Sequence, residues 1–319
     1  MYKGCACNSP VWVKVIQWLG VTALLTIFAI GIWAALPGDH SSTASLKWFQ
    51  FMQTVGTFLL PPFFMAWLWS AEPLQWLHMA GIRTASLKEQ RVKTKMPLTI
   101  HTCLLFIFAI VLMVVAMPGI NLIADWNSKL VFPECMTGIE QWMRQQEDAA
   151  AALTERFLSG TSVGTLLVNI GLMALLPACA EELTFRGVMQ GLIVESRKTA
   201  ALKVNSHIAV WVTAILFSAI HMQFYGFVPR MLLGALFGYM LVWTGSLWVP
   251  IVMHFVNNAV TVVTYWCVYR AGISPESVDT FGTGETAWLG WLSLALTAIG
   301  IYVLWRRSRQ ISNASSRTS

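Results

Sequence analysis

The chain has 319 residues, of which 56% are hydrophobic and 11% charged, and its mean hydropathy is +0.61. A soluble domain cannot hide that much apolar surface, and no soluble stretch is left over, so a single all-α bundle of transmembrane helices is expected. The net charge of +6 does not argue for nucleic acid, because the basic residues cluster at the ends of apolar runs, where they orient a chain in a membrane.

In chain order, apolar runs long enough to cross a hydrocarbon layer of ~30 Å predict eight spans, at about 14–36, 45–70, 97–118, 162–192, 206–224, 230–245, 248–268 and 287–305. The first is read as a retained span, since the run is too long for a signal-peptide core and no small-residue cleavage site ends it. The six cysteines, Cys5, Cys7, Cys103, Cys135, Cys179 and Cys267, show no disulfide framework, and four of them lie in or beside apolar runs without metal-ligand spacing; Cys5-Ala6-Cys7 is read as part of a short frayed terminus in preference to a metal or lipid site.

Arg83, Lys88, Arg91, Lys93 and Lys95, then Arg197, Lys198 and Lys203, then Arg306, Arg307 and Arg309 mark three segments as cytoplasmic. The segments near 119–161 and 271–286 carry Asp125, Glu134, Glu140, Glu147, Asp148, Glu276, Asp279 and Glu285 and fit the opposite side. Eight spans with both termini cytoplasmic satisfy every loop, and Trp243, Trp248, Trp288 and Trp305 sit at span ends as interfacial anchors. An integral protein of the cell's inner membrane is expected, with the lipid bilayer as its first partner.

Between the third and fourth spans, Ile139, Trp142, Met143, Ala149, Ala150, Leu153 and Phe157 recur at helical spacing opposite polar residues. This predicts an amphipathic interfacial helix that either packs as a lid or guides substrate. Pro61 and Pro62 should kink the second span. Gly187 with Gly191, and Gly234 with Gly238, are small-xxx-small pairs that allow close helix approach.

Glu181, Glu182, Arg186, His221, His254, Asn257 and Asn258 stand inside predicted spans. Each ionisable group there costs at least about 2.5–3.5 kcal/mol, so such a set is paired, hydrated or functional. Glu182 and Arg186 are four apart, acid first, which suits an intrahelical ion pair. Glu181 is left without a local cation and is the candidate general base; the plainer alternative is that both carboxylates share Arg186. Phe217 and His221 share one helix face, so the ring can shield the imidazole. His254 and Asn258 form a second four-residue pair able to donate to an oxyanion, with Asn257 a competing candidate about 100° around the helix.

Glu181-Glu182-Leu183-Thr184-Phe185-Arg186, Phe217-Ser218-Ala219-Ile220-His221 and His254-Phe255-Val256-Asn257-Asn258 resemble, in order, the EExxxR, FxxxH and HxxxN motifs of the CAAX prenyl protease and bacteriocin-processing (CPBP, Abi) family of intramembrane glutamic endopeptidases. The resemblance covers about the second half of the chain. It implies that Glu181 and His221 activate a water while His254 and Asn258 steady the oxyanion, with Glu182, Arg186 and Phe217 in support. It also implies a peptide or protein substrate at the membrane and no cofactor. Relatives differ in substrate, so no prenylated substrate is assigned.

Three regions follow: 1–161, membrane helices with the outer amphipathic helix; 162–268, a catalytic membrane core; and 269–319, the last span and a basic tail. At 1.5 Å per residue, His221 falls about 22 Å from the cytoplasmic end of its helix, deeper than Glu181 and His254 by a turn or two. Tilted helices, or a fifth span that begins outside the bilayer, would reconcile them. Two rival readings remain. One is a zinc protease, since one carboxylate and two imidazoles are a usable ligand set. The other is a non-catalytic immunity or regulatory scaffold that keeps the polar cluster for packing or docking.

Overall fold

The computed structural model describes residues 3–80, 98–199, 206–274, 278 and 280–315. Every regular element among them is helical. The expected spans appear as α1 (Val11–Ala35), α2 (Thr43–Trp69), α3 (Leu98–Ser128), α5 (Val163–Ser196), α6 (Ser206–Ala219), α7 (Phe227–Thr244), α8 (Trp248–Ala271) and α9 (Ala287–Ser315), and α4 (Thr137–Leu158) is the amphipathic helix. Seven of these are long and apolar enough to cross a membrane, so the chain is an integral membrane protein. The eighth, α6, has 14 residues among those described, a length of about 21 Å. The basic segment 83–95, Lys203, Glu276 and Asp279 lie outside the described residues.

Two apolar clusters hold the bundle together. One joins Trp18 of α1, Met65 and Trp69 of α2, Leu183 and Val188 of α5, and Leu247 and Ile251 at the start of α8. The other joins Leu112 and Met113 of α3, Phe237 and Met240 of α7, and Met253 of α8, with Ile301 and Leu304 of α9 against it. The candidate site lies where α5, α6, α7 and α8 meet.

Prolines shape the helices without ending them. α3 runs on to Ser128 where the third span was expected to end near 118, and it contains Pro118. The Ser293 hydroxyl of α9 inserts after it, accepting from the Gly119 amide at 3.0 Å and donating to the Val115 carbonyl at 2.5 Å, so the disturbed backbone groups are satisfied inside the bilayer. In α2 a π-helical turn, Val55–Leu59, precedes Pro61 and Pro62. Pro62 has no N–H to offer the Phe58 carbonyl four residues back, and that carbonyl accepts from the Thr184 hydroxyl of α5 at 2.8 Å. The pair of prolines thereby creates a docking point for the helix that carries the glutamates.

α5 itself is wound in alternating registers, with π-helical segments at Ile170–Leu175 and Leu183–Met189 around the α-helical Leu176–Glu182. Such wide turns are concentrated at functional sites. Gly234 and Gly238 make the close approaches expected of them. A Cβ on Gly234 would meet Phe217 at 3.1 Å and Ala214 at 3.3 Å, and one on Gly238 would meet Gln190 at 2.9 Å and Val210 at 3.0 Å. Gly187 packs against Leu77 and Leu247, but among the described residues nothing lies within 4 Å of a Cβ on Gly191, so there the pair forms no packing groove.

These contacts remove the depth mismatch. Arg186, Ala214 and Gly234 share one level, and Gln190, Val210 and Gly238 the next. Glu181 lies five residues before Arg186 and His221 seven beyond Ala214, which carries both one to two turns further in the same direction. Gly187 is level with Leu247 in the α7–α8 turn, and α5 continues to Ser196, about 14 Å farther. An end set at 192, with the site measured from there, left Glu181 too near that face.

Candidate active site

α5 supplies two adjacent carboxylates in different surroundings. Glu182 is fully buried, and its Oε1 accepts from Arg186 Nη1 at 2.8 Å and from His254 Nδ1 at 2.9 Å. Arg186, also fully buried, donates its other terminal nitrogen to the Gly234 carbonyl at 2.8 Å and lies over the rings of Phe217 at 4.6 Å and Phe237 at 5.5 Å. A buried cation needs such partners, and Gly234 has no side chain to hold α7 away from Phe217 and Ala214 of α6. Glu181, one residue earlier, is turned into a cavity. Its Oε2 stands 3.9 Å from His221 Nε2 and 3.9 Å from His254 Nε2.

The other nitrogen of each imidazole is already committed. His221 Nδ1 donates to the Phe217 carbonyl at 2.7 Å, because a carbonyl can only accept. The neutral ring therefore presents the Nε2 lone pair to Glu181. His221 lies just past the end of α6, and Met222 after it takes a left-handed φ of 56°, which turns the chain away. The Phe217 ring covers the imidazole edge-on at 5.0 Å, and Phe237 stacks on His254 at 5.3 Å. His254 Nδ1 donates to Glu182, which likewise fixes its Nε2 toward Glu181.

The two asparagines both line the cavity, and they differ in what they hold. Asn257 Nδ2 donates to Asn258 Oδ1 at 3.0 Å, and Asn258 Nδ2 donates to the Met173 carbonyl at 3.3 Å. Asn257 thus sets the orientation of the Asn258 amide, whose second N–H is left for the cavity.

The cavity is about 490 Å³, a size that holds a few residues of a peptide. All of Glu181, His221, His254, Asn257, Asn258 and Phe217 line it, while Glu182 and Arg186 stand behind. α4 closes one side. Thr154 and Leu158 reach the cavity wall, Trp142 packs on Phe224, Arg144 lies over Tyr225, and Glu147 accepts from the Tyr225 amide at 3.1 Å. This is the placement of a lid. Asn127 of α3 pins the same turn, accepting from the Val228 amide at 2.7 Å and donating to the Phe224 carbonyl at 3.1 Å.

Several polar residues were not singled out from the sequence. Arg230 and Gln223 line the cavity, Gln190 donates to the Gly238 carbonyl, and Lys47 binds Asn169 and the Phe157 carbonyl. Arg230 was legible in principle, being an ionisable residue at the head of the 230–245 run, the same criterion that selected Glu181.

Among the described residues no group of three His, Cys, Asp or Glu side chains is close enough to hold a metal ion. The 3.9 Å separations around Glu181 exceed the about 3.4 Å between ligands of a tetrahedral zinc at about 2.05 Å, and fit two groups bridged by one water.

Residues 163–260 match the family model described as type II CAAX prenyl endopeptidase Rce1-like. An uncharacterized protein of Bacillus subtilis (strain 168), YpbD, is 33% identical over 96 residues, which cover 29% of this chain and 43% of that relative. The chain therefore spans less than half the length of the curated relative it matches. No solved structure matches it significantly.

Proposed function

We propose, from the match of residues 163–260 to the Rce1-like model of type II CAAX prenyl endopeptidases, that the chain is an intramembrane endopeptidase of the glutamate–histidine type, acting on a membrane-associated or C-terminal peptide. The observation that carries the reading is the convergence of Glu181 Oε2 with the Nε2 atoms of His221 and His254, at 3.9 Å each, in a cavity of peptide size.

A water between Glu181 and His221 loses a proton to Glu181 as its oxygen adds to the peptide carbonyl carbon. His221, with Nδ1–H held by Phe217, accepts a hydrogen bond from that water and aims it. The oxyanion that forms is met by Nε2–H of His254 and the free N–H of Asn258. His254 donates from Nε2 only as the imidazolium, and the Glu182 carboxylate on its other nitrogen is the counter-charge for that form. The C–N bond then breaks and the leaving amine takes the proton from Glu181, so that one peptide and one water yield a carboxylic acid and an amine. We place the protein in the cell's inner membrane with both termini cytoplasmic, on the positive charge of the flanking segments.

The test compares membrane and secreted peptides from cells carrying the native chain, Glu181→Gln or His221→Ala. Peptides that disappear in both variants, at unchanged protein level, are the expected result. Identical peptide sets in all three would overturn the reading and leave the polar cluster a scaffold.

A further inference from the structure

We propose that Arg230 is a specificity-determining residue that anchors a carboxylate of the substrate peptide in the cavity; this rests on the peptidase reading above. Arg230 is half-buried on the first turn of α7 and lines the same cavity as Glu181, His221 and Asn258. Its guanidinium donates Nη1 to the Gln223 carbonyl at 3.2 Å and Nη2 to Gln223 Oε1 at 2.7 Å. Both acceptors are neutral, and a guanidinium has five N–H donors.

Among the described residues no carboxylate lies within ion-pair distance of Arg230. Arg186, the other arginine of this region, has a carboxylate, a carbonyl and two aromatic rings around it. Glu147 and Glu181 are near enough to act on the charge of Arg230, but Glu147 is taken up with the Tyr225 amide and Glu181 faces the imidazoles. An unpaired cation in an apolar bundle is costly unless it is used. A planar fork of donors beside a peptide-sized cavity matches a carboxylate above other groups a peptide offers. Gln223, bound at both its carbonyl and its side chain, holds the fork in place, and the turn it belongs to is pinned by Asn127.

The carboxylate can be the C-terminus of the substrate or an Asp or Glu side chain, and the experiment separates them. Full-length protein in nanodiscs is offered three randomised heptapeptide pools: free C-terminus without Asp or Glu, amidated C-terminus with Asp and Glu, and amidated C-terminus without them. Cleavage is read by mass spectrometry for the native chain, Arg230→Gln and Arg230→Lys. The first or second pool is expected to be cleaved at least about tenfold faster than the third, a factor typical of one charged hydrogen-bonding contact. Arg230→Gln should level the pools, and Arg230→Lys should keep part of the preference. The same pools are passed over Glu181→Gln protein, with and without Arg230→Gln, and the retained peptides are identified. Selective retention of the carboxylate pool that depends on Arg230 supports the anchor even where no hydrolysis is seen, in which case the peptidase reading alone falls. Equal cleavage and retention of all three pools, or a preference that survives Arg230→Gln in protein of native thermal stability, overturns the proposal.

Discussion

His254 and Glu182 are joined across two helices by a 2.9 Å hydrogen bond from Nδ1 to Oε1, on the same oxygen that pairs with Arg186. One carboxylate oxygen therefore ties the ion pair of α5 to an imidazole of α8. Glu182→Ala would leave Arg186 buried without its counter-charge and release His254, and a loss of about 3–5 kcal/mol is expected for breaking a buried pair. The check is thermal unfolding in detergent together with membrane yield. Native values for both would show that Glu182 is not the structural member of the pair.

Glu181→Gln keeps the shape of the side chain and removes the base. A fall in turnover of about 10²–10⁴-fold is expected, with unfolding temperature close to native because Glu181 makes no hydrogen bond of 3.5 Å or less to another side chain of the described structure. His221→Ala should act in the same direction. Single-turnover rates on any cleaved peptide decide it.

The asparagines should separate kinetically. Asn258→Ala removes a donor to the oxyanion and is expected to lower kcat by about 10²–10³-fold. Asn257→Ala removes only the group that orients it, so its loss should be smaller and fall on the same parameter. Equal losses, or a larger loss at Asn257, would reverse the two assignments.

Gly234→Val places a side chain where even a Cβ would stand 3.1 Å from Phe217 and 3.3 Å from Ala214. Overpacking of this kind costs about 1–3 kcal/mol. Because Phe217 covers His221 and its carbonyl holds that ring, activity should fall along with the unfolding temperature. A variant that loses neither would show that α6 and α7 separate without disturbing the site.

Incubation with a strong chelator, followed by elemental analysis of the protein, addresses zinc. Full activity in protein stripped of metal is the expected outcome, given the 3.9 Å spacing of the would-be ligands. Activity lost to the chelator and restored by zinc would replace the glutamate mechanism with a metal-bound water.

What could be read from the sequence was what repeats along one helix. The Glu182–Arg186 pair and the Phe217–His221 contact are four-residue relations, and both occur. The span positions follow from apolar length and were found within a few residues, except at the ends of α3 and α9, which run about ten residues beyond the expected 118 and 305 to Ser128 and Ser315. Relations between helices were not legible. Nothing in the one-dimensional order says that His254 will donate to Glu182, that Ser293 will repair the backbone at Gly119, or that Arg230 will share a cavity with Glu181. Asn257 and Asn258 stood in the sequence as competing candidates, whereas the structure makes them partners.

The π-helical segment at Leu183–Met189 sits immediately after the two glutamates. Such a segment takes up one residue more than α-winding would over the same rotation, so Gln190 meets Gly238 one position later than an unbroken α-helix would bring it there. Removing one residue would let 3.6-residue winding resume with the partners on both sides still in place. Substitutions that restored α-winding without a deletion would instead swing every side chain beyond by about 100° around the axis. Gln190 would turn away from Gly238, while Glu181 and Glu182 stayed where they are. The first half of α5 is indexed to the cavity and its second half to the flank of α6 and α7. The extra residue is the spare link that lets both halves mesh at once.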